Sequence, residues 1–152
     1  MDLARRAFLP QLAGAMLLPR LALAREEPIQ ISWPWVRATL QHETMAYMII
    51  LNNSALDDEL THVNSPWAEK CWLEKQVWSG LKMRLEEVKS LAVPARSRVE
   101  LKPNATYLKV RLARAAEKGN TMPFTLTFTK AGRIEISATI TNKMLNSKRE
   151  LI

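Results

Sequence analysis

Phe124-Thr125-Leu126-Thr127-Phe128-Thr129 alternates apolar and hydroxyl side chains without a break. Successive side chains of a strand point to opposite faces, so this run presents an apolar face to a core and a threonine face to water. The same period of two returns at 107–112, where Leu108, Val110 and Leu112 share one face and Tyr107, Lys109 and Arg111 the other. Working outward, further β-prone runs lie at 29–32, 45–52, 71–78, 99–101 and 134–140. Turn-forming residues separate them: Asn52-Asn53-Ser54, Asn64-Ser65-Pro66, Ser79-Gly80, Pro103-Asn104, Lys118-Gly119-Asn120 and Ala131-Gly132. Short strands at this spacing predict an all-β chain folded as an antiparallel β-sandwich. No internal repeat, low-complexity tract or interdomain linker interrupts them.

The first 24 residues are of another kind. Arg5 and Arg6 precede Phe8-Leu9 and a mildly apolar run, and Ala22 and Ala24 place small residues where a signal is cleaved. The arginine pair resembles the signal of the bacterial twin-arginine route, which exports folded proteins. Pro10, Gly14, Pro19 and Arg20 break the run, which is too short for a permanent membrane span. The expected organisation is a signal peptide at 1–24, one domain at 25–141 and a polar tail at 142–152, in a periplasmic bacterial protein.

Charge and composition exclude several classes. Lys and Arg outnumber Asp and Glu by 22 to 15, a net charge of +7, but the cations are spread along the chain. Nucleic-acid binding would need them clustered on one element. A single cysteine, Cys71, permits no internal disulfide. Strand alternation sets Cys71 and Leu73 on one face and Trp72 and Glu74 on the other, so Cys71 is expected in the core if Glu74 faces out. His42 and His62 lack ligand spacing, and Met45, Met48 and Met122 are expected to pack in the core. No nucleophile elbow, metalloprotease helix or phosphate loop is present, so an enzyme is not expected.

Taken in order, several segments resemble the PCuAC family of periplasmic copper chaperones. They are Trp35-Val36-Arg37-Ala38-Thr39, Ala46-Tyr47-Met48 leading to Asn52-Asn53, Asp57-Asp58-Glu59-Leu60, and Ser65-Pro66 with Ala68. Leu81-Lys82-Met83-Arg84, Val93-Pro94-Ala95, 99–103, 124–128 and Ala131-Gly132 follow. The resemblance implies a cupredoxin-like sandwich that holds Cu(I) through two histidines and two methionines, soft and borderline donors suited to that ion. It also implies transfer toward the copper centre of a respiratory oxidase, with cytochrome oxidase assembly proteins as partners. Residue by residue, the histidine positions fall on Glu74 and Tyr107 and one methionine position on Lys109, while Met83 retains the other. A lysine ammonium repels a cation and offers no lone pair.

Two functions compete. The first is a copper-chaperone-like protein with weakened or lost Cu(I) binding, in which Glu74 and Lys109 form an ion pair across the old site. The second is a non-metal interaction module whose anchors, Trp72 and Trp78, share a strand face with Glu74 and Gln76.

Overall fold

The computed structural model describes residues 27–142 and contains ten strands and no helix among them. The expected signal peptide, with Arg5, Arg6, Ala22 and Ala24, and all but the first residue of the expected tail lie outside the described residues. In chain order the strands are β1 (Ile29–Arg37), β2 (Glu43–Asn52), β3 (Asp58–Asn64), β4 (Ala68–Ser79) and β5 (Lys82–Val88). They continue with β6 (Leu91–Val93), β7 (Arg98–Leu101), β8 (Thr106–Leu112), β9 (Thr121–Phe128) and β10 (Gly132–Thr141).

Hydrogen bonding runs through the order β5-β4-β8-β2-β1-β10-β9-β3-β6, with β7 also on β2. That ladder curls over on itself. β3 and β4 lie far apart in the order yet follow one another in the chain, joined at 65–67, and one apolar core draws from both layers. Ile50, Leu108 and Val110 enter it from one layer, and Leu60, Met122, Phe124, Leu126, Phe128 and Ile140 from the other. Every apolar residue of the 124–128 run is buried, as its alternation requires.

All pairings are antiparallel but one: β1 joins β10 in parallel, with Trp35 opposite Thr139 and Arg37 opposite Thr141. Local turn chemistry signals hairpins, whereas a pairing between the two ends of the chain has no local signature. β1 also runs on past Pro34. Its register with β2 shifts between Ser32 and Trp35, and Trp33 within the bulge has φ +53. A bulge accommodates the proline, which has no N–H for the ladder, and re-aims the side chains that follow it.

The β4–β5 hairpin is joined by the two-residue turn Gly80-Leu81. Gly80 has φ +62 at the first central position, as a type II′ turn demands. β5 is the outer edge of its layer. No helix among the described residues is long and apolar enough to cross a membrane.

Candidate functional site

The outward face of the β1–β2–β8–β4–β5 layer gathers the positions that sequence comparison singled out. Antiparallel partners share a face, and the register sets Tyr107 of β8 against Glu74 of β4, and Lys109 against Trp72. On the other flank of β8, Lys109 faces Met45 and Arg111 faces Glu43, both from β2. Three of the four singled-out ligand positions, Glu74, Tyr107 and Lys109, thus form one surface cluster.

Glu74 is the anchor of this cluster. It is only 8% exposed, and both carboxylate oxygens are engaged. The Tyr107 hydroxyl donates to Oε1 at 3.0 Å, and Trp72 Nε1 donates to Oε2 at 3.1 Å. A buried carboxylate left unpaired would be costly, and these two donors remove that cost. Burial pushes the Tyr107 phenol up to about 12, and the Glu74 carboxylate beside it adds to the rise. The phenol is therefore a fixed donor at neutral pH. Behind it, Tyr47 stacks on Trp35 at 4.5 Å and meets Tyr107 edge-on at 6.4 Å, a small aromatic cluster separate from the main core. Trp35 is buried in this second cluster.

The expected Glu74–Lys109 ion pair does not form. Lys109 faces Trp72 rather than Glu74, and its ammonium reaches Glu43 at 3.4 Å. Arg111 joins the same carboxylate at 3.3 Å, and its hydrogen bond, with help from Lys109, holds the Glu43 carboxyl below its usual range. Glu74 takes neutral donors because the residue directly opposite it is a tyrosine.

Met83 lies elsewhere. Its partner across the hairpin is Trp78, whereas Glu87 stands opposite Glu74 and Leu85 opposite Gln76. Four residue steps along β4 take Glu74 to Trp78, about 13 Å of strand. The residues of β5 that flank Glu74 on this face are Glu87 and, diagonally, Leu85. The methionine that does adjoin the cluster is Met45, half-buried rather than part of the main core, with the Tyr47 hydroxyl 3.4 Å from its sulfur. Its period-two phase was readable in the sequence; its position opposite Lys109 depends on β2–β8 pairing. Met48 and Met122 are core residues as expected.

Cys71 packs half-buried against the core, on the face opposite Glu74, and burial pushes its thiol up to about 11. His42 and His62 are exposed. Among the described residues no three His, Cys, Asp or Glu side chains group as a metal site. Trp72 is covered by Lys70 and Arg111, at 4.9 and 5.7 Å from its ring. Trp78 is open to solvent.

The donor set does not suit Cu(I). A carboxylate already holding two donors, a protonated phenol and a lysine ammonium occupy the cluster, and thioether donors are confined to Met45 at its margin.

A family model called LpqE-like, whose description is of a lipoprotein, matches residues 29–140. Among solved structures, the copper-bound PCuAC domain of PmoF2 superposes with a TM-score of 0.64 and 25% identity, over 74% of this chain and 92% of that one. The apo PmoF2 domain gives a TM-score of 0.61 and 26% identity, over 74% and 89%. The solution structure of apo-DR1885 from Deinococcus radiodurans covers 95% of this chain and 98% of its own, at 24% identity and a TM-score of 0.59. No curated protein matches the chain by sequence.

Proposed function

We propose that this chain, which belongs to the LpqE-like family and to the wider PCuAC family, is an exported copper-chaperone-like protein. In this reading it serves the copper centre of a respiratory oxidase without holding Cu(I) tightly itself. The observation that carries the reading is the occupied carboxylate. Glu74 accepts from Tyr107 and Trp72, so two of the positions that would meet an ion in a PCuAC domain are spent on each other. A site closed in this way, with a lysine ammonium beside it, suits contact with a partner protein better than capture of a cation. Fold and family support the copper-assembly setting, and the paired arginines and small residues at 22–24 support export to the periplasm.

The second reading, an interaction module outside copper handling, draws support from Trp78, which stands 63% exposed on the same face. Deleting the gene in its bacterial host and measuring oxidase activity under copper limitation separates the two. The copper-assembly reading expects reduced activity, restored by the intact chain and also by a Met45→Leu, Met83→Leu version. Unchanged activity after deletion would remove the copper-assembly reading.

A further inference from the structure

We propose that the tip of the β4–β5 hairpin is a membrane-docking element that seats this protein on an anionic lipid surface. Four large apolar side chains are left in water there: Trp78 at 63% exposure, Leu81 at 99%, Met83 at 45% and Leu85 at 51%. They form one patch. Trp78 and Met83 are cross-strand partners, Leu85 follows Met83 on the same face, and Leu81 caps the turn. A fully exposed leucine at the second position of a tight turn does nothing for the turn, whose geometry is met by Gly80. Contiguous exposed apolar surface on a projecting edge marks a contact site.

The charges around the patch identify the occupant. Between residues 75 and 85 there is no Asp or Glu, but there are Lys75, Lys82 and Arg84. The register sets Arg84 opposite Val77 and Lys82 opposite Ser79, on the face away from Trp78 and Met83. Arg84 also meets Glu86 at 2.6 Å, just behind the tip. The hairpin is therefore amphipathic across its thickness, with apolar and aromatic groups on one face and cations on the other. Tryptophan favours the headgroup level of a bilayer, and lysine and arginine reach anionic headgroups while their stems lie along apolar surface. Insertion of only the turn and its neighbours keeps the edge backbone of β5 at the hydrated interface, where its free groups stay solvated. Trp78, at the turn end of the patch, lies about 13 Å along β4 from Glu74, and Leu85 alone of the patch approaches the closed carboxylate network.

Residues 25–152 retain every strand and the whole core, and that chain can be floated with vesicles of known composition. The expected result is association with phosphatidylcholine vesicles containing about one third phosphatidylglycerol, and little with phosphatidylcholine alone. Leu81→Ser should weaken the association by about tenfold. Lys75→Gln with Lys82→Gln should abolish the preference for the anionic vesicles. Brominated lipid should quench part of the tryptophan emission, and Trp78→Phe should remove that part. Both Leu81 and Trp78 are exposed, and circular dichroism confirms that each variant stays folded. Equal association of the wild type and Leu81→Ser, or none with anionic vesicles, would overturn the proposal. So would a dimer in solution that Leu81→Ser dissociates, since the patch would then belong to a second copy.

Discussion

At the scale of the residue, Glu74 determines what the surface can do. Its carboxylate is nearly inaccessible and takes hydrogen bonds from a phenol and an indole, neither of which loses its proton at neutral pH. Tyr107→Phe would strip one donor from a buried anion, at a cost of about 1–3 kcal/mol, read as a lower urea midpoint at pH 7. The alkaline limb of stability tests the same contact. An unfolded tyrosine titrates near pH 10, whereas Tyr107 is held at about 12 by burial and by Glu74. The folded state then keeps a proton that the unfolded state has lost. This contribution is complete below pH ~10 and disappears as pH rises toward ~12. Burial raises Tyr47 in the same direction, so melts above pH 10 should fall less steeply in Tyr107→Phe without becoming flat.

Cys71 gives a second test at this scale. Its thiol, pushed up to about 11 by burial, is almost wholly protonated at pH 7, and the thiolate is the reactive form. The native protein should react with a disulfide reagent orders of magnitude more slowly than the urea-unfolded chain. Comparable rates would show that Cys71 is more open than its packing implies. Alternation placed this residue on the face opposite Glu74, and the outward position that the family resemblance implied for Glu74 then set Cys71 toward the core. The partner of Glu74 was not readable from β4 alone: the choice between Tyr107 and Lys109 depends on a two-residue difference in β4–β8 register, which the sequence does not encode locally.

At the scale of the element, polar side chains that fit the family pattern prove to hold the loops. Asp58 accepts from the backbone N–H of Glu59, Lys130 and Ala131 at 2.8–2.9 Å, tying the start of β3 to the β9–β10 turn. Burial works against its charge, but these three donors outweigh it and bring the carboxyl below its usual range. Asn52 is buried and donates to the carbonyls of Leu56 and Val93 while accepting from Ser54. Asp58→Ala should cost about 2 kcal/mol, measured by chemical denaturation. Because the folded carboxyl is more acidic than the unfolded one, its contribution is present above pH ~4 and lost as pH falls below it, so wild type and variant should converge in acid. A gap that persists to pH 2 would place the effect in packing rather than in the carboxylate.

The strands that the sequence left unannounced share a cause. β6 has three residues, and β3 buries only Leu60 and Val63 around a bulge. β5 is an edge strand whose residues are exposed or half-buried, so no inward face imposes a period. β8 and β9 were legible because each buries one full face.

At the scale of the molecule, the parallel β1–β10 pairing closes the two layers and brings together segments that are distant in sequence. The all-β class and the sandwich followed from periodicity and the spacing of turns, and the family from the ordered segments between 35 and 132. The site was legible only in part. Three replaced positions do converge, while Met83, matched by its local Lys-Met-Arg setting, lies at the far end of the hairpin because cross-strand register, not local likeness, decides which β5 residue meets Glu74.

The central claim is that this face is a PCuAC surface closed by its own hydrogen bonds. Its most direct test is Cu(I) competition against a chromogenic chelator under reducing conditions, with residues 25–152 in a Cys71→Ala background. The account predicts no stoichiometric tight binding by that chain. It also predicts binding on introducing Glu74→His, Leu85→Met, Tyr107→His and Lys109→Met together, with donors of the kind Cu(I) prefers. One tightly held equivalent in the parent chain, lost on Glu74→Gln, would contradict it.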